Sequence, residues 1–125
     1  MKEARFVARD VGVAVDHALI AGFSSDARIE HNDSAIIFQR ALEDDDDDEG
    51  VYAEIPIQRF CCYDGIERFV ISRNTCLVEF FDGSIDEMDG LKRISIEFDL
   101  NDHKFEEVRS ILRRIFRGHE AYREE

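Results

Sequence analysis

Hydrophobic and polar residues alternate along several stretches of this chain, with the period expected of half-buried β-strands. The clearest alternation lies at 93–100, where Ile94, Ile96 and Phe98 are separated by polar residues. Less regular alternation predicts further strands at 5–16, 17–24, 35–42, 51–58, 66–73 and 75–81. A chain with many short alternating segments is typical of a mainly antiparallel sheet.

Two pairs of these strands are expected to form hairpins. The strands 5–16 and 17–24 meet near Asp16-His17, and 66–73 meets 75–81 at Arg73-Asn74. Asparagine tolerates the positive φ of tight turns, which supports the second hairpin.

Pro56 is the only proline of the chain and marks a limit of the sheet. Because proline has no N–H to donate, the strand 51–58 is expected to be an edge strand or to stop pairing at this residue. The segments 27–34, 59–65 and 82–90 are rich in polar or turn-forming residues and are predicted as connectors.

After Asn101 the hydrophobic period changes from two to 3.6 residues, which predicts an amphipathic helix. Its apolar residues form a stripe about 140° wide. They are Phe105, Val108, Ile111, Leu112, Ile115 and Phe116. Asn101 is a suitable N-cap, and Gly118 can end the helix. The stripe is expected to cover the sheet face that carries Ile94, Ile96 and Phe98, so the predicted fold is α+β: one mainly antiparallel sheet of six to seven strands with a C-terminal amphipathic helix packed on one face.

The size and charge of the chain narrow the classes of partner. A length of 125 residues fits one domain spanning 1–125. The formal net charge of −13 disfavours nucleic acid and anionic membrane surfaces, which attract clusters of Lys and Arg. The partners that this charge favours are cations or a basic protein surface.

Much of the acidity is concentrated in one segment, the acidic loop, residues 43–49. Its seven consecutive carboxylates are Glu43, Asp44, Asp45, Asp46, Asp47, Asp48 and Glu49. Such a run repels itself and is expected to stand in water, either as a passive spacer between two strands or as a binding site for a basic partner. The run lacks the alternating ligands of an EF-hand, so only weak, nonspecific calcium binding remains an alternative.

No catalytic, metal-binding or cofactor-binding pattern is recognisable elsewhere. Cys61, Cys62 and Cys76 have neither zinc-site nor disulfide-framework spacing, which fits a reducing cytosol. The four histidines are scattered, and the serines lack a nucleophile-elbow context. The N-terminus has no apolar stretch of signal-peptide length. We therefore predict a cytoplasmic protein that is not an enzyme, with no metal and no cofactor.

The order of these features resembles the bacterial family called Immunity protein 10. The resemblance covers positions 34–117 and rests on spacing and order. The matching residues are Gln39-Arg40, the acidic loop, Tyr52, Glu54, Ile55 and Gln58, Tyr63-Asp64-Gly65-Ile66, Ser72-Arg73, Phe98-Asp99-Leu100 and Ile115-Phe116. The chain departs from the family pattern at Asp64, where glycine is expected, and at Cys61-Cys62, where small residues are expected.

The resemblance implies a non-enzymatic protein that binds a cognate bacterial toxin and blocks it in the producing cell. It also implies a toxin with a basic active-site surface, which the acidic loop would engage by imitating phosphate. Two other classes stay open. One is an acidic interaction module of another pathway, which the gene neighbourhood would distinguish. The other is a small-ligand-binding domain or enzyme that uses the sheet face, with a pocket lined by Glu54, Arg68 and Arg40.

Overall fold

A computed structural model of the chain describes residues 2–25, 35–55 and 60–125. Within these ranges it contains ten strands, one α-helix and one short 3-10 turn. The strands are β1 (Lys2–Val7), β2 (Asp10–Val15), β3 (Ala18–Ser24), β4 (Ala35–Ala41), β5 (Tyr52–Ile55), β6 (Phe60–Tyr63), β7 (Ile66–Ile71), β8 (Thr75–Phe80), β9 (Leu91–Glu97) and β10 (Tyr122–Glu124). The 3-10 turn is Asp82–Ser84 and the helix, α1, is Asp102–Ile115.

The strands form two five-stranded sheets rather than the single sheet of six or seven strands that we predicted. The first sheet has the order β1-β9-β8-β7-β10, and the second has the order β2-β3-β4-β5-β6. Most neighbours are antiparallel, but β1 runs parallel to β9 and β10 runs parallel to β7. The α+β class and the mainly antiparallel pairing are therefore confirmed, and the number and grouping of strands are corrected.

The chain crosses from one sheet to the other at Ala8-Arg9, inside the stretch 5–16 that was predicted as one strand. The N–H of Ala8 donates to the carbonyl of Glu97 in the first sheet, and the N–H of Arg9 donates to the carbonyl of Ser24 in the second. Neither residue is a turn former, but the phase of the apolar residues changes here, from Ala4, Phe6 and Ala8 before the crossing to Val11, Val13 and Val15 after it.

The edge assignment of the strand before Pro56 is wrong. β5 pairs with β4 on one side and with β6 on the other, and β6 lies in the segment 59–65 that was predicted as a connector. β5 does end at Ile55, directly before the proline. Positions 56–58 of this predicted strand and the predicted connector 27–34 up to Ser34 lie outside the described residues.

Both predicted hairpins are confirmed. β2 and β3 are antiparallel across Asp16-His17, and β7 and β8 are antiparallel across Arg73-Asn74. The latter turn is closed by a 2.7 Å hydrogen bond from the N–H of Ser72 to the carbonyl of Thr75.

The helix forms where the 3.6-residue period predicted it, with the predicted N-cap. The side chain of Asn101 accepts a hydrogen bond of 2.8 Å from the N–H of Lys104, which satisfies a backbone donor that the first turn leaves open. The apolar stripe is buried as expected. It lies on the inner face of the second sheet across β2, β3 and β4, rather than on the Ile94 and Ile96 face.

The core fills the space between the two sheets and the helix. Ring contacts connect the layers: Phe38 of the second sheet meets Phe69 of the first at 5.1 Å, and Phe116 at the end of α1 meets Phe69 at 4.7 Å. Phe105 of α1 meets Phe98, next to β9, at 6.3 Å. The helix thus contacts both sheets. Its C-terminal end lies beside β4, where Arg40 donates to the carbonyl of Ile115.

The outward-facing surface of the first sheet is covered by ion pairs. Arg93 lies between Glu3 and Glu79, at 3.2 and 3.3 Å, and Arg5 pairs with Glu97 at 2.6 Å. Paired charges of this kind keep an exposed sheet face hydrated. No helix in the described part of the chain is long and apolar enough to span a membrane.

Candidate partner-binding site at the acidic loop

The acidic loop connects β4 to β5, two neighbouring strands of the second sheet, and Gly50 ends it. Gly50 has a φ of 89°, which favours glycine. A Cβ on Gly50 would also lie 2.9 Å from the carboxylate of Asp64, in the turn that follows β6. The loop therefore returns to β5 through a position that only glycine fits without strain.

One end of the loop is tied to the last turn of the helix. Both carboxylate oxygens of Glu43 accept hydrogen bonds from Arg114, at 2.8 and 2.9 Å. These hydrogen bonds, with a smaller contribution from the Glu43 backbone N–H and the charge of Arg117, lower the pKa of Glu43 from 4.5 to about 2. Such two-point arginine–carboxylate pairs fix geometry as well as charge.

The other end of the loop is held by Arg40, which the alternation of β4 directs towards the helix. The Arg40 guanidinium donates to Asp48 at 2.9 Å and to the carbonyls of Ile115 and Arg117 at 3.0 and 2.7 Å. It thereby satisfies carbonyls that the end of α1 leaves without partners. The hydrogen bond from Arg40, followed by that from the N–H of Gly50, lowers the pKa of Asp48.

Short local hydrogen bonds shape the middle of the loop. The carboxylate of Asp45 accepts from the N–H of Asp47 at 2.8 Å, and that of Asp48 accepts from the N–H of Gly50 at 3.0 Å. Aspartate side chains that bond the backbone two residues on are common turn formers. Hydrogen bonds within the loop therefore give it a defined conformation.

The seven predicted site residues consequently divide into two groups. Glu43 and Asp48 are anchors, because arginines of the same molecule already neutralise them. The outward carboxylates are Asp44, Asp45, Asp46, Asp47 and Glu49, and within the described residues none of these side chains forms an ion pair. The second group is the part of the loop whose charges are not neutralised by an ion pair within the described residues.

A groove of about 250 Å³ lies between the loop and the second sheet. Asp45, Asp47 and Glu49 line it together with Tyr52 and Tyr63, whose ring centroids are 4.8 Å apart. Arg40 also belongs to the lining, and its guanidinium is paired with Asp48. The exposed fraction of Tyr63 is 56%. Carboxylates facing aromatic rings form a suitable environment for a cationic side chain, which gains from both ion pairing and cation–π attraction.

Tyr52 is held in place by its neighbour on the same strand. Its hydroxyl donates to the carboxylate of Glu54 at 2.6 Å. Burial, followed by this hydrogen bond and by interaction with Cys61, raises the pKa of Tyr52, so the hydroxyl stays protonated at neutral pH. The lining of the groove thus combines an aromatic wall of neutral tyrosines with the carboxylates of the acidic loop.

Sequence reasoning identified the carboxylates but not the aromatic wall. Tyr52 and Tyr63 become neighbours only because β6 pairs with β5, and β6 was read as a connector. His17, from the β2–β3 turn, also lines the groove. In the adjacent turn, Asp64 has a φ of 53°, a conformation that favours glycine, which is the residue expected at this position from the resemblance.

The pocket that a small-ligand function would have required is not assembled from the residues named for it. Glu54 is bonded to Tyr52, Arg40 to Asp48, and Arg68 lies on the first sheet 3.5 Å from Glu79. In the described part of the chain, no cluster of three or more His, Cys, Asp or Glu side chains has the geometry to hold a metal ion. The three thiols are free.

Comparison with known proteins gives one match. The family model of Immunity protein 10 matches residues 4–106, from β1 into the first turn of α1. No curated protein and no solved structure matches the chain. The match extends the resemblance from Ser34 back to the N-terminal strand and covers most of the chain. This chain therefore belongs to the Immunity protein 10 family.

Proposed function

We propose that this protein is a non-enzymatic antidote that binds and neutralises a cognate bacterial toxin in the cytoplasm of the cell that produces both. Family membership over residues 4–106 is the observation that carries the proposal. The net charge of −13 adds support, because a strongly acidic inhibitor complements a toxin whose active site attracts phosphate.

The outward carboxylates are the part of the molecule that we assign to first contact with the toxin. Three arginines, Arg40, Arg114 and Arg117, hold the loop against the helix, at 2.9, 2.8 and 3.6 Å from Asp48 or Glu43. A loop that is already ordered loses less conformational freedom on binding than a free chain would. Exposed charges also steer a basic partner before contact, over about a Debye length of 8 Å at physiological salt.

Co-expression with the toxin encoded by the neighbouring gene tests this function. The expected result is restored growth of cells that make both proteins, and recovery of the two as one complex from a tag on either. An enzymatic antidote would protect at amounts far below the toxin, whereas a stoichiometric inhibitor protects only at equal amounts or above. Titrating the purified antidote against toxin activity separates these outcomes, and protection without complex formation would contradict the proposal.

A further inference from the structure

The face of the second sheet that points away from α1, which we call the outer face, is built mainly from small and uncharged side chains. The charged side chains that the described strands place on it, Asp10 and Glu54, are both acidic. Strand alternation places Gly12, Ala14, Ile20, Gly22, Ile37 and Gln39 on it. Tyr52 and Tyr63 continue this face up to the groove beside the acidic loop. Exposed antiparallel sheet faces normally carry polar residues at these positions.

The outer face differs sharply from its counterpart on the first sheet. There, Arg5, Arg93, Glu3, Glu79 and Glu97 form ion pairs. The described strands of the second sheet contain a single basic residue, Arg40, whose side chain points to the opposite side. No helix or strand in the described ranges packs on the outer face, because α1 and the first sheet lie across its inner face.

Acidic side chains border the outer face at two places. At one end stand the outward carboxylates of the acidic loop, and in the β2–β3 turn Asp16 has a side chain that is 78% exposed. A mainly uncharged face whose charged groups are acidic complements a surface that is apolar at its centre and basic at its edge.

We propose that the outer face is the surface on which the toxin docks, with a lysine or arginine of the toxin in the groove between Tyr63 and Asp47. This proposal rests on the proposed function and adds the binding face and the chemistry of the partner. A second copy of this chain is a poorer occupant, because pairing two outer faces would bring like-charged rims together.

Gly12→Arg is the most informative variant. Gly12 is exposed, its φ is not in the left-handed region, and an added Cβ would meet no atom within 4 Å, so the fold accommodates a side chain there. The new guanidinium would stand on β2, at one edge of the outer face, and repel a basic partner. Thr75→Arg is the matched control, because it adds the same charge to an exposed position on the outward side of the first sheet.

The binding of purified toxin, made catalytically inactive, is measured for wild type, Gly12→Arg, Gly12→Glu, Tyr63→Ala and Thr75→Arg. We expect Gly12→Arg and Tyr63→Ala to weaken binding at least tenfold, Gly12→Glu to weaken it less than Gly12→Arg, and Thr75→Arg to stay within twofold. Thermal melts identify any variant that loses binding through misfolding.

Three outcomes would overturn the docking face. They are unchanged binding by both Gly12→Arg and Tyr63→Ala, an equal loss in Thr75→Arg, or a wild-type dimer that Gly12→Arg dissociates without loss of toxin binding. In each case the wild type still binds toxin, so the proposed function stands. A wild type that binds no toxin overturns the function and the docking face together.

Discussion

Arg114 in the last turn of α1 and Glu43 at the start of the acidic loop form a two-hydrogen-bond pair, at 2.8 and 2.9 Å, across 71 positions of sequence. The pair attaches the helix to the candidate binding site, although the helix contributes no residue to the groove. It also gives the loop a measurable dependence on pH.

Acid should release this end of the loop. The pKa of Glu43 is lowered in the folded protein, from 4.5 to about 2, so its contribution to stability is complete above pH 4.5 and is lost as the pH falls from 4.5 towards 2. Glu43→Gln should therefore be less stable than wild type at pH 7, and the difference should shrink across this window. Denaturant titrations at several pH values measure it. Glu120→Gln, an equal charge change at an exposed position, is the control, and a constant gap between wild type and Glu43→Gln would contradict the pairing.

Neutralising the outward carboxylates should slow capture of the toxin. We expect the change of Asp44, Asp46, Asp47 and Glu49 to Asn or Gln to lower the association rate by roughly tenfold at low salt, with a smaller effect at high salt, because long-range attraction is screened. The dissociation rate should change less, since exposed pairs contribute about 0–1 kcal/mol each. Stopped-flow mixing at two salt concentrations measures both rates.

The control variant has the same net charge as the loop variant, but its four neutralised carboxylates lie outside the acidic loop. Asp86, Glu87, Asp99 and Glu120 are exposed and form no ion pair within the described residues. Neutralising these four should leave the low-salt association rate close to that of wild type. Equal slowing by both sets would mean that net charge alone steers the toxin, and equal rates for loop variant and wild type would mean that the loop is a spacer.

The C-terminal helix should behave as part of the core. The exposed fraction of Phe116 is 3%, and its ring lies 4.7 Å from Phe69 and 5.4 Å from Tyr122. Phe116→Ala should lower the free energy of unfolding by about 3–5 kcal/mol through lost contacts and a cavity. Ser110→Ala, on the exposed side of the same helix, should change it by less than about 0.5 kcal/mol. Urea unfolding monitored by circular dichroism measures both, and a small effect of Phe116→Ala would mean that the helix end is not buried in solution.

The three thiols should differ in reactivity. Burial raises the pKa of Cys62 to about 11 and that of Cys76 well above its ordinary value, whereas Cys61 is partly exposed beside Glu54. A thiol reagent at pH 8 should label one cysteine of the folded protein quickly and all three after denaturation. Cys61→Ser should abolish the fast phase and leave toxin protection intact. Fast labelling of two thiols in the native state would contradict the burial of Cys62 or Cys76.

The helices and strands that could be located from the sequence are those that bury one face, because burial of one face gives a regular apolar period. α1 and β9 have clean apolar periods and were placed correctly, including the Asn101 cap. Elements whose assignment depends on distant pairing were missed: β6 and β10 are short, and each forms only because a partner strand offers its edge. No local signal distinguishes such strands from connectors.

The candidate site shows the same division. The charge of the acidic loop is visible in the sequence, but the separation of anchors from outward carboxylates depends on Arg40 and Arg114 meeting the loop in space. In the sequence, Arg40 interrupts an apolar face that Ile36 and Phe38 share. The guanidinium of Arg40 donates hydrogen bonds to carbonyls at the end of a helix that lies more than 70 positions later. No local stretch of sequence contains both partners of these bonds.

The parallel pairing of β1 with β9 also has a consequence for the order of events in the cell. During synthesis, Lys2–Val7 must wait for Leu91–Glu97, which at about 5–20 residues per second takes roughly 5–20 s. Pairing over such a separation folds slowly compared with local contacts. The first sheet is therefore completed only after Leu91–Glu97 has left the ribosome, and under the proposed function protection begins after that point.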